Sequence, residues 1–158
     1  MEAPAMNPLS LQDRLPTRSG GRICFGCGAD NSHGLKIKRR MEGRECVCRF
    51  TPEDHHAAFP NILNGGIIAT VLDCHAIWTA VGTYLADSGR ADEEHPATMY
   101  VTKKMTVEFL SSTPMGTALE LRGRVEESGT RSARVVVELR AGDALTARAE
   151  VLAVRVED

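Results

Sequence analysis

From residue 65 to about residue 86, apolar side chains recur at helical spacing on nearly every face of one segment. A helix with no broad polar face belongs inside a protein rather than on its surface. Asp73 and His75 interrupt the run, which argues against a membrane span. One buried helix in a chain of 158 residues has to be covered by the rest of the fold.

The remaining chain supplies strands for that purpose. Residues 35–41 alternate apolar and polar, Glu42-Gly43 turns the chain, and residues 45–50 alternate again, which reads as a hairpin. Thr51-Pro52 ends it, and Pro60 stands in the loop before the helix. A polar loop over 87–96 follows the helix. Beyond it, Met105, Val107 and Phe109 form one face of a strand that stops at the Ser-Ser-Thr-Pro turn of 111–114. Leu119, Leu121 and Val125 form the next, Ala133, Val135, Val137 and Leu139 a third, and 145–156 a last long strand. The turns between them are Ser128-Gly129 and Ala141-Gly142-Asp143. The expectation is an α+β fold, with an antiparallel sheet of about six strands wrapped around one long central helix. Residues 1–21, rich in Pro, Ser and Gly, read as a flexible N-terminal arm, and 22–158 as a single domain.

Composition narrows the function. The apolar share of 42% and charged share of 25% are those of a soluble globular protein. A net charge of −2 without a dense basic run points away from nucleic acid and from membrane surfaces. The N-terminus has no basic and apolar leader pattern, and five cysteines is an odd number. Reduced thiols and a cytoplasmic location are the expectation. Local basic clusters (Lys36, Lys38, Arg39, Arg40; Arg122, Arg124, Arg131, Arg134) read first as solvated strand faces.

The chemistry concentrates at the helix. Gly65-Gly66 at its mouth leaves unpaired backbone N–H groups open to close approach, the arrangement that stabilises an oxyanion. Asp73 sits in the helix interior, where an acid has poor propensity and needs a reason. A donor and a carboxylate together suit acyl-group hydrolysis, with Asp73 as nucleophile or as base for a water. Gly66 and Asp73 are separated by about 10 Å along the helix axis, too far for one carbonyl carbon to touch both. A productive site therefore joins the glycines of one subunit to Asp73 of another.

Three sequence pieces, the Cys24-Phe25-Gly26-Cys27-Gly28 opening, Asn64-Gly65-Gly66 with Asp73, and Thr102 ahead of residues 105–114, together resemble the hot-dog fold, and specifically the PaaI-like acyl-CoA thioesterases of phenylacetate degradation. Cys24-Phe25-Gly26-Cys27-Gly28, with Asp30-Asn31 and Gly34-Leu35 after it, resembles the opening of many members. Asn64-Gly65-Gly66 with Asp73 resembles the family's His-Gly-Gly and helical acid at the same spacing. Thr102, ahead of the strand 105–110 and Pro114, resembles the family's Thr or Ser before a strand that ends in a proline turn.

The resemblance implies hydrolysis of an acyl-CoA substrate to free acid and CoA. Gly65 and Gly66 would polarise the thioester carbonyl, and Thr102 would position the acid or its water. It also implies a two-fold homodimer with sites at the interface, with a dimer-of-dimers tetramer as the larger assembly. Asn64 departs from the family's His and keeps only an amide with which to orient the substrate or its own loop. His55 and His56 stand where they would line the pocket, and Arg122, Arg124 and Arg134 are candidates for the CoA phosphates. No cofactor and no metal is expected. The rival for the cysteines is a zinc site of Cys24, Cys27, Cys46 and Cys48. The rival function is a non-catalytic acyl-CoA-binding or regulatory module on the same fold.

Overall fold

The computed structural model describes residues 10–17, 19–93 and 97–156. Its strands are β1 (Arg39–Glu42), β2 (Glu45–Phe50), β3 (Ala57–Phe59), β4 (Ile62–Leu63), β5 (Met99–Phe109), β6 (Leu119–Ser128), β7 (Ser132–Ala141) and β8 (Ala144–Val156). The helix α1 (Gly65–Asp87) lies between β4 and β5. Six strands form one antiparallel sheet in the order β1-β2-β6-β7-β8-β5, and α1 packs along its inner face. This is the hot-dog arrangement of one helix held in a curved sheet. The short turns β1–β2 and β7–β8 each carry a glycine at positive φ, Gly43 at 62° and Gly142 at 60°, where a side chain would be strained.

Strand pairing places small residues under the helix. Cys46, Gly123, Val137, Ala149 and Val107 form one row across five strands, and Cys48, Leu121, Leu139, Ala147 and Phe109 form the next. A Cβ on Gly123 would lie 2.4 Å from Thr79 Oγ1 and 3.0 Å from the His75 ring, so the glycine sets how closely α1 approaches β6. By length and composition α1 is apolar enough to cross a membrane, but most of it is buried against the sheet. Val71, Leu72, Ala76, Val81 and Leu85 are all in the core.

Several expectations need correction. The first strand begins at Arg39, not at residue 35, because Lys36 takes a positive φ of 53°. The N–H groups of Leu35 and Ile37 bond back to the carbonyls of Phe25 and Gly26, so this segment belongs to the cysteine loop. The two-stranded β3–β4 sheet lies in a stretch expected to be loop. The expected arm is docked over residues 10–17: Leu11 and Leu15 are buried, and Leu11 N–H bonds Arg39 O along the β1 edge. Residues 1–9 lie outside the described residues. Arg39, expected on a solvated face, is fully buried.

Candidate active site

The mouth of α1 is closed by its own neighbour. Asn64 is the N-cap residue, and its Oδ1 accepts from the Gly66 N–H at 2.7 Å and the Ile67 N–H at 3.2 Å. Gly66, one of the two expected oxyanion donors, is thus engaged. The Gly65 N–H has no acceptor among the described residues. It is half-buried, and the Phe109 ring of β5 flanks it, 3.5 Å from where a Cβ would stand.

Two turns further along, three successive residues fan out to three different elements. Asp73 points toward β5, where Thr102 Oγ1 donates to Asp73 Oδ1 at 2.5 Å. The sequence period alone would put Thr102 on the face opposite Met105 and Val107. A bulge between Thr102 and Lys104 shifts the register, so Thr102 stands opposite Ala153 and joins the helix-facing side. Cys74 points toward the loop of Cys24 and Cys27, with Cys74 Sγ 3.7 Å from Cys24 Sγ. His75 enters the core: its Nε2 meets Cys46 O at 2.8 Å, and its Nδ1 accepts from Arg39 Nε at 3.2 Å. Burial, helped by the Arg39 charge, pushes the His75 pKa down to about 3, so the ring is neutral.

A cavity of about 190 Å³ lies beside Asp73, walled by Cys24, Cys27, Cys74, Trp78 and Tyr100. Asp73 is half-buried and Thr102 is exposed, so the carboxylate meets both this cavity and solvent. Hydrogen bonds from the Cys27 and Cys74 thiols hold the Cys24 thiol well below its usual range. The same bond to Cys24 raises Cys27 and Cys74.

The other expected site residues stand elsewhere. His56 is buried, and its Nδ1 accepts from the Glu53 N–H at 3.0 Å, fixing a short turn. Exposed His55 lies against it with ring centroids 4.2 Å apart. Neither lines the cavity beside Asp73. Arg122 and Arg124 flank Gly123, so they project from the sheet face opposite α1, and they pair with Glu120, Glu45 and Glu126. Arg134 pairs with Glu126, Glu127 and Glu150. These arginines are committed to carboxylates on the outer face and do not converge on Asp73. Sequence reasoning did not find Arg39 or the joining of Cys74 to Cys24 and Cys27. The alternation around Arg39 looked like a solvated strand, and Cys74 lies 50 residues from Cys24.

The sequence model of the thioesterase superfamily matches residues 60–148. A thioesterase superfamily protein from Shewanella loihica is 32% identical, with a TM-score of 0.61, over 80% of this chain and 96% of that one. The PaaI protein from the phenylacetic acid degradation operon of E. coli shares the fold at 15% identity and a TM-score of 0.64, over 78% and 81% of the two chains. A Streptococcus mutans protein bound to acetyl-CoA does so at 17% identity and a TM-score of 0.63, over 77% and 90%. No curated protein matches.

Proposed function

Because the chain belongs to the thioesterase superfamily, we propose that it hydrolyses acyl-CoA thioesters to free acid and CoA at composite sites of a cytoplasmic homodimer. The observation that carries this reading is the Asp73 carboxylate, held by Thr102 at the edge of a cavity. It lies about 12 Å along the axis from the open Gly65 N–H of its own helix. The five free cysteines fit a reducing compartment. The acetyl-CoA bound to a protein of the same fold supports a CoA thioester as substrate.

The open edge of β5 supports the dimer. Among the described residues this strand pairs only with β8, and its eleven residues include the exposed apolar side chains of Val101 and Phe109. A long open edge with exposed apolar side chains at both ends is a surface for strand pairing. If two copies pair antiparallel along β5, the Thr102 end of one strand runs beside the Phe109 end of the other. Thr102 holds Asp73 and Phe109 flanks Gly65, so each carboxylate comes to face the helix mouth of the second copy.

In such a site the thioester oxygen accepts from the Gly65 N–H, and the positive end of the helix dipole favours the charge that develops there. Thr102 occupies Asp73 Oδ1, leaving Oδ2 to take a proton from an attacking water or to attack the carbonyl carbon itself. Collapse of the tetrahedral adduct re-forms the carbonyl and expels the CoA thiolate; where Asp73 itself attacks, the mixed anhydride left on its carboxylate is then cleaved by water, which releases the free acid and restores the enzyme. No cofactor enters these steps.

A second reading is favoured by one observation. Asn64 Oδ1 occupies the Gly66 N–H, the donor that the family pattern implies. A chain with that donor closed would bind acyl-CoA without turnover, as a regulatory module. Thiol release from a panel of short, medium, long and aromatic acyl-CoAs separates the two. Saturable turnover lost in Asp73→Asn supports the hydrolase, and equal binding without turnover in both proteins supports the module. Light scattering during size exclusion tests the assembly and separates dimer from tetramer; an active monomer sinks the composite site.

A further inference from the structure

We propose that Cys24, Cys27 and Cys74 form a three-thiolate site for a soft metal ion of the zinc class, with the buried Arg39 guanidinium as its counter-charge. The proposal does not rest on the hydrolysis proposed above, although both sites open on the cavity beside Asp73.

The geometry comes first. The three Sγ atoms all lie within 4.8 Å of one another. Two thiolates on one tetrahedral zinc, at about 2.3 Å each, stand about 3.8 Å apart. The Cys24–Cys74 separation is 3.7 Å. The loop is shaped for this approach. A Cβ on Gly26 would lie 2.4 Å from Cys74 Sγ, and one on Gly28 would strike the Cys24 backbone at 2.4 Å. The Gly28 N–H closes the Cys-x2-Cys turn on Cys24 O at 2.8 Å. Trp78 Nε1 donates to Cys27 Sγ at 3.2 Å, the kind of outer bond that orients a metal-bound sulfur.

Charge supplies a second and separate argument. Arg39 is 0% exposed, and both of its terminal nitrogens lack a hydrogen-bond partner among the described residues. Its Nε bonds neutral His75, and among the described residues no carboxylate pairs with it. A buried cation without an anion is expensive. Cys46 and Cys48 cannot supply the anion, because burial pushes their thiols up to about 12 and about 11. A divalent ion with three thiolates carries one net negative charge. The Arg39 guanidinium is anchored on His75, the residue next to Cys74 on α1, which brings its charge to the ligand turn.

The three ligands leave a fourth position, and Cys24, Cys27 and Cys74 all line the cavity beside Asp73. A water or small anion from that cavity would complete a tetrahedron. Each thiol that is still protonated releases its proton to solvent as its sulfur–metal bond forms. The bound ion would clasp the loop to α1 from a segment 50 residues away. This set differs from the rival drawn from spacing, in which Cys46 and Cys48 completed the pair. Those two lie on β2 under the helix, and Cys74 takes their place.

The test uses the full chain without a polyhistidine tag, reduced and freed of metal, titrated anaerobically with cobalt(II) and then with zinc. The expected result is a thiolate-to-cobalt charge-transfer band that saturates at one ion per chain and is displaced by zinc. Cys24→Ser, at the half-exposed rim, should weaken cobalt binding about tenfold or more and shrink the band, while Cys48→Ala should keep it whole. Arg39→Met, checked for folding by circular dichroism, should also bind cobalt about tenfold more weakly. No charge-transfer band in the folded, reduced protein overturns the proposal. A band unchanged in Cys24→Ser overturns it equally.

Discussion

At the mouth of α1 the polar groups are held by near neighbours: Asn64 caps the amides two and three residues ahead of it. At its third turn the partners come from far along the chain. Thr102 reaches Asp73 across 29 residues, Arg39 reaches His75 across 36, and Cys24 reaches Cys74 across 50. The mouth is thus a local device that any helix can carry, whereas the third turn exists only when the whole sheet has closed around it. Chemistry that needs a firmly held carboxylate belongs at the third turn. The mouth has to supply only backbone donors and the helix dipole.

This contrast is broken most severely at Asp73. Asp73→Asn keeps the hydrogen-bonding shape but removes the charge, and it should lower kcat/KM by about a thousandfold or more while leaving the thermal midpoint nearly unchanged. Steady-state kinetics beside a melting curve checks both halves. Equal loss of stability and activity would show that the acid is structural.

The same turn should also reveal itself in acid. His75 is neutral when folded, with its pKa pushed down to about 3 from 6.5, while the unfolded ring binds a proton below 6.5. Its contribution is therefore complete above pH 6.5 and is lost as pH falls from there toward about 3. Unfolding free energy from urea titrations should drop on the order of 1 kcal/mol per pH unit in that window. In His75→Gln the part of this slope due to the ring should vanish.

The mouth should respond more mildly. Asn64→Ala removes the cap and should cost about 1 kcal/mol of stability in the same urea titrations. It also frees the Gly66 N–H, so turnover should change far less than in Asp73→Asn. A loss as large as that of Asp73→Asn would make the Asn64 side chain itself part of the chemistry. The smallest effect belongs outside both regions. Arg134→Gln on the outer sheet face should change stability by less than about 0.5 kcal/mol and leave the acyl-CoA KM unaltered. A raised KM would return that face to the substrate.

The same contrast explains what could be read from the chain beforehand. Helix α1 and the strands β5 to β8 were legible because apolar period and turn chemistry act locally. The separation of Gly65 and Gly66 from the acid two turns later was legible from helix rise alone. Thr102 was half legible: its alternation pointed it the wrong way, and the bulge at Lys103 that corrects it leaves no local signal. Arg39 read as a surface residue because nothing near it in sequence announces a buried cation. The docking of residues 10–17 along β1 was hidden for the same reason, since Leu11 finds its partner only after the sheet forms.

The composite site is tested most directly by mixing two inactive chains. Gly65→Pro removes the open N–H at the first helical position, where proline is well tolerated. Asp73→Asn removes the acid. In an equal mixture after subunit exchange, half of the dimers are hybrids. Each hybrid holds one site with both lesions and one site with neither, so about a quarter of wild-type activity should return. Hybrids that form, as shown by mass, yet stay inactive would contradict the account.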